Sequence, residues 1–217
     1  AGSKPGEPPH VILFPEILFD EAAFLARTEE CVKKYGYCAV VVSEGVRNKD
    51  GKFLADAGTR DAFGHAQLGG VGPVVAQLVK DKLGYKYHWA VADYLQRAAR
   101  HIASKVDVEQ AYAVGKAAVD LALQGHNSVM PTIVRTSNRP YRWKIGMASL
   151  DKVANVEKML PRDYITPDGL HITAKGRKYL APLIQGEDYP PYEGGLPKYV
   201  VLKNKAVKKK LKNAFVV

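Results

Sequence analysis

The 217-residue chain is 47% hydrophobic and 25% charged, an ordinary globular mix that excludes wholesale disorder and collagen-like repetition. Its 32 basic and 22 acidic side chains give a net charge of +10, but seven of these charges are lysines between Lys198 and Val217, a stretch without one acid. The body of the chain is therefore nearly neutral, and the positive charge is a tail rather than the spread basic face of a nucleic-acid binder.

Two cysteines, Cys31 and Cys38, are too few for a disulfide framework or a four-thiolate zinc site and read as buried free thiols. The six histidines show no H-E-x-x-H spacing, so no metal site is expected in this chain. No run approaches the ~18 apolar residues of a membrane span. Residues 1–9 are polar and proline-rich, unlike a secretory signal, and read as a linker. A reducing cytoplasm fits these features, with neither membrane nor nucleic acid as partner. The chain opens without a methionine and is read as a piece of something longer.

Taken in order, His10–Glu16 predicts a buried strand closed by a proline, followed by a helix that Asp20 caps and Gly36 ends. Tyr37–Ser43 is apolar almost throughout, as in a central parallel strand. Residues 46–68 read as a long polar excursion with a turn at Asn48–Gly51. Val74–Leu83 predicts a helix with Pro73 in its first turn, Lys86–Ala92 a strand, Val108–Gln124 a helix, and Ser128–Val134 a strand at an edge or bulge because of Pro131. This alternation predicts an α/β fold: an open three-layer, Rossmann-like, mostly parallel sheet with helices on both faces. Beyond Arg135 the pattern weakens to a strand at Arg142–Met147, helices at Leu150–Met159 and Leu170–Ile184, a short strand at Tyr199–Leu202 and a solvated lysine-rich helix. The expected organisation is a linker (1–9), an α/β lobe (10–150), and a C-terminal helical region with its basic tail packed on that lobe (151–217).

In open α/β sheets ligands gather at the carboxyl ends of the strands. Glu44 stands at such an end between Ser43 and Gly45, either as an acceptor for vicinal sugar hydroxyls or as a solvated or capping acid. Tyr94 and Arg97, around Gln96, follow the Lys86–Ala92 segment. A guanidinium fork beside a phenol suits a phosphomonoester, although Arg97, Arg100 and His101 also read as the polar face of a short helix. Gly69–Pro73 lacks both the dinucleotide-binding glycine spacing and a P-loop lysine, and reads as a plain helix start. Asp168 and His171 belong to Thr-Pro-Asp-Gly turn chemistry rather than to an acid/base pair.

Together Val40–Gly45, the glycine-rich turn, Ala92–Arg97 and Tyr112–Val119, in that order and spacing, resemble the second half of a 6-phosphofructokinase. Tyr94-Leu-Gln-Arg97 and the following His101–Ser104 resemble the pyrophosphate-dependent branch, the likeness being good from about His10 to Arg135 and thinner beyond. The resemblance implies phosphoryl transfer from pyrophosphate, with Mg2+, to the 1-hydroxyl of fructose 6-phosphate, giving fructose 1,6-bisphosphate. It implies that Glu44 binds fructose hydroxyls and that Tyr94 and Arg97, with Gln96 between them, bind the sugar 6-phosphate. A basic family residue that reaches a neighbouring subunit's site falls at His88 here, with Lys86 close by, and implies a homo-oligomer.

The family's Gly-Gly-Asp-Gly phosphate loop, its Thr-Ile-Asp base segment and its Met-Gly-Arg segment do not occur in this sequence. No catalytic residue and no metal ligand is therefore assigned to the chain, pyrophosphate is expected to bind through a missing N-terminal half, and the chain alone is expected to be inactive. The alternatives are the corresponding lobe of an ATP-dependent phosphofructokinase and a non-enzymatic basic binding module.

Overall fold

The computed structural model describes residues 2–60, 66–68, 70–92, 94 and 98–208. Strands β1 (Val11–Leu13) and β2 (Val40–Val42) pair in parallel, with Val11 opposite Val40 and Leu13 opposite Val42. Parallel neighbours need a crossover, and α1 (Glu21–Tyr35) supplies it. The Asp20 carboxylate accepts the Ala23 N–H at 3.0 Å, and Gly36, left-handed at φ 80°, ends the helix with its N–H on Val32 O. Both helix signals read from the sequence therefore operate.

The buried face of α1 is Phe24, Thr28 and Cys31. Phe24 joins Val11, Leu13, Val46, Ala55, Val71 and Val75 in the core, and full burial of such a side chain contributes about 1.5–3 kcal/mol. Val71 and Val75 come from α2 (Val71–Leu83), which has Pro73 in its first turn and Gly84 at its end. The Asn48–Gly51 turn forms as expected: Asn48 Oδ1 accepts the N–H groups of Asp50 and Lys52 between the bridged residues Arg47 and Phe53. The polar excursion also contains an antiparallel pair that its composition concealed, β3 (Asp56–Arg60) with β4 (Ala66–Leu68).

After a 3-10 turn at Arg100–Ile102, α3 (Lys105–Leu123) is capped by Ser104, whose Oγ accepts the Asp107 N–H. The strands β5 (Val129–Asn138) and β6 (Tyr141–Ser149) form an antiparallel hairpin. Pro131 pairs with Met147 there, and a two-stranded hairpin offers the edge position that a residue without an N–H tolerates.

The C-terminal region departs further from its periodicity. In place of a helix over Leu150–Met159 there is a single 3-10 turn, Leu150–Lys152, and Asn155 adopts φ 57°, outside the helical region. The Leu170–Ile184 helix shortens to α4 (Ala174–Leu180), because residues 165–173 are engaged in a bridge between Ile165 and Ile172 and a Thr173 N–H bond to Tyr164 O. Pro182 follows in a 3-10 turn at Ala181–Ile184. A small hairpin of β7 (Tyr192–Glu193) and β8 (Leu196–Pro197) turns through Gly194 and Gly195. Tyr199–Leu202 and the lysines to Lys208 have no regular secondary structure, so neither the last strand nor a helix forms over the described part of the tail.

The chain is thus α/β, but its described strands make four two-stranded pairs of which only β1–β2 is parallel. Lys86–Ala92 is not a strand. It lines a groove beside β2 rather than extending its ladder.

Candidate functional site

β2 ends in a tight turn at Ser43–Glu44–Gly45. Ser43 N–H donates to Leu13 O, Val46 N–H donates to Ser43 O, and the Ser43 hydroxyl accepts the Gly45 N–H at 3.3 Å. The parallel pairing with β1 thereby sets where Glu44 leaves the sheet. The turn crosses Pro15 at such short range that only glycine fits at position 45.

Glu44 is exposed and lines a groove of about 1190 Å³. Its lining comes from β2, from α1 through Phe24, Thr28 and Val32, from α2 with Gly70–Gly72, and from Tyr85–Ala92. This volume exceeds the ~300–1,000 Å³ of a small-molecule pocket. The structure brings Glu44, Lys86 and His88 to this one groove, together with the start of α2. Tyr94 follows two residues after groove-lining Ala92 and is 69% exposed. Gln96 and Arg97 lie outside the described residues.

The groove also receives Cys38. Burial pushes its thiol up to about 12, and the neighbouring Cys31 pushes in the same direction. A thiol held neutral is a poor nucleophile near pH 7. The groove is therefore equipped to bind, with the Glu44 carboxylate and the Lys86 ammonium among its lining groups, rather than to form a covalent intermediate through this cysteine.

Asp168 and His171 form a turn, as their sequence context suggests. Thr166 Oγ donates to Asp168 Oδ1 at 2.5 Å, Gly169 N–H to Thr166 O, and Thr166 N–H to His171 O. Arg27 pairs with Asp168 at 2.9 Å. Burial alone would raise the Asp168 carboxyl, but the bonds from Thr166 and the Leu170 N–H, with the Arg27 charge, hold it below its ordinary value. Among the described residues no three His, Cys, Asp or Glu side chains are grouped so as to hold a metal ion such as the magnesium that the resemblance implies.

One set of contacts that follows Tyr94 in the chain was invisible in the sequence. Residues 100–106 are tied to residues 183–188, with Arg100 paired to Asp188 across 88 positions. Only the Ser104-x-x-Asp107 cap had a local signal.

No protein-family model matches the chain. It is 65% identical over 207 residues to the pyrophosphate–fructose 6-phosphate 1-phosphotransferase of Methylococcus capsulatus, covering 95% of this chain and 49% of that protein. It also superposes on the crystal structure of a pyrophosphate-dependent phosphofructokinase from Nitrosospira multiformis, with 66% identity, a TM-score of 0.78, and coverage of 94% of this chain and 48% of that one. For the Marinobacter aquaeolei counterpart the figures are 54%, 0.79, 100% and 50%. The chain belongs to the phosphofructokinase family. Within it, the likeness lies with the pyrophosphate-dependent members, and the chain spans about half the length of the relatives it matches.

Proposed function

We propose that the chain is the substrate-binding, C-terminal half of a pyrophosphate-dependent phosphotransferase acting on the 1-hydroxyl of fructose 6-phosphate. The observation that carries this reading is the identity of 65% maintained over 95% of the chain with such an enzyme, combined with Glu44 emerging at the carboxyl end of parallel β2 onto an open groove. Glu44 accepts hydrogen bonds from fructose hydroxyls. Tyr94 donates through its phenol, and Arg97 through its fork, to the 6-phosphate, with Gln96 between them. Lys86 and His88 reach the phosphate site of a neighbouring copy in a homo-oligomer. Pyrophosphate, the general base and magnesium are held by the remainder of the enzyme, so the isolated chain binds substrate without transferring phosphate.

In this reading the complete protein carries an open three-layer, Rossmann-like sheet to which the parallel pair β1–β2 belongs. Residues 10–150 act as the binding lobe, and residues 151–217 pack on it. The proposed setting is the cytoplasm.

Calorimetric titration of the chain with fructose 6-phosphate tests the assignment. The wild-type chain should give a measurable heat, and Arg97→Ala should bind roughly ten- to a hundredfold more weakly, the worth of a charge-assisted contact. Equal affinities would remove Arg97 from the site.

A further inference from the structure

The segment that follows Tyr94 is fastened at its far end by contacts that no local pattern foretells. Arg100 Nη2 donates to Asp188 Oδ1 at 2.8 Å, while its Nη1 donates to the backbone carbonyl of the same residue. Ser104 is bridged to Glu187, and its hydroxyl donates to Leu183 O at 2.6 Å. The N–H groups of Lys105 and Val106 donate to Gly186 O and Gln185 O at 2.9 and 3.3 Å. At Gly186, φ 74°, an added Cβ would stand 2.8 Å from Lys105 Cβ, so the two backbones meet where no side chain fits.

Arg100 comes six residues after Tyr94 and three after Arg97. Within this stretch Ala98 N–H donates to Tyr94 O at 2.9 Å, and Ala103 N–H donates to Arg100 O. Groups that recognise a phosphate must be held to within ~0.5 Å, which an exposed segment secures only through supporting contacts. A guanidinium that grips the carboxylate and the carbonyl of one residue fixes direction as well as distance.

We infer that Asp188 is a positioning residue for sugar-phosphate binding: it holds Arg100, two residues beyond the Ala98 N–H that bonds to Tyr94 O, and so fixes Tyr94, the C-terminal region shaping the substrate site without touching the substrate. This inference rests on the functional reading above.

The test is fructose 6-phosphate titration of the full chain and its variants, with thermal unfolding of each. Asp188→Asn should bind roughly tenfold more weakly, since small misplacements of binding groups are amplified in affinity, at nearly unchanged Tm. Asp188→Glu should recover most of the loss. Asp163→Asn, which breaks the Lys175–Asp163 pair in the same region, should bind as wild type. Should Asp188→Asn fail to fold, Arg100→Lys decides, because it keeps the charge and loses the fork; it too should bind more weakly. Wild-type affinity in folded Asp188→Asn or in Arg100→Lys overturns the inference, as does an equal loss in Asp163→Asn. No binding by the wild-type chain, or equal binding by Arg97→Ala, instead defeats the functional reading and the inference with it.

Discussion

Gly45 and Pro15 approach so closely that a Cβ on residue 45 would stand 2.9 Å from the proline Cβ. The contact is between the turn that ends β2 and the proline that follows β1, and it sets the exit of Glu44. Gly45→Ala should destabilise the chain by about 1–3 kcal/mol, the usual range for an overpacked contact. The same variant should weaken fructose 6-phosphate binding by displacing Glu44. Thermal unfolding and calorimetry measure the two effects, and a variant with wild-type Tm and affinity would show that the turn absorbs the methyl group freely.

Phosphotransferase activity should be undetectable in the purified chain supplied with pyrophosphate, Mg2+ and fructose 6-phosphate. It should appear when the remainder of the enzyme is supplied in trans, and Glu44→Gln in the chain should then reduce kcat/KM for the sugar phosphate by roughly tenfold or more, as expected from losing a charge-assisted contact. A coupled assay reads both. Turnover by the isolated chain would relocate the base and donor site into these residues.

Asp20 is held below its ordinary value first by the Ala23 N–H and then by Lys49. A carboxyl depressed in the folded state stabilises the fold above its unfolded pKa, and this contribution disappears as pH falls through the folded value. Asp20→Ala should therefore lower Tm at pH 7, with the gap to wild type closing below about pH 4, near the unfolded carboxylate value. Asp168, depressed by Thr166, Leu170 N–H and Arg27 against the opposing effect of burial, should give the same sign. A gap that stays constant from pH 7 to pH 3 would deny the charged cap.

Cys38 carries the opposite linkage. Its thiol is raised from 9.0 to about 12, chiefly by burial, so the neutral form is favoured and its stabilising effect is lost as pH rises above the unfolded value. Iodoacetamide at pH 8.5 should modify Cys38 far more slowly in the folded chain than after guanidinium unfolding, as mass spectrometry would show. Rapid labelling of the native protein would contradict a neutral, half-buried thiol.

The elements with local causes were legible in advance. Asp20 and Gly36 bracket α1, Pro73 and Gly84 bracket α2, and Asn48 builds its turn, since each acts on backbone groups a few residues away. The second half was read less well. The apolar spacing over Leu170–Ile184 and Leu150–Met159 is compatible with helices, yet a bridge at Ile165–Ile172 and the positive φ of Asn155 prevail there. The site divides the same way. The position of Glu44 at the end of β2 was legible because a strand end is a local feature, whereas the Arg100–Asp188 pair joins residues whose separation leaves no periodic trace.

Residue order alone was thus sufficient for the α/β class, the caps of α1 and α2, the acid at the end of β2 and the family to which these motifs belong. Helical and strand periods, turns and caps are short-range physics written in neighbouring residues. Only the folded chain decided that Glu44, Lys86 and His88 share one groove, that Lys86–Ala92 lies beside β2 without a ladder bond, and that the C-terminal region holds the Arg100 segment. Those outcomes depend on which distant surfaces meet when the core closes, and contacts of that kind are selected by packing and hydrogen-bond satisfaction across the whole molecule rather than by any local pattern.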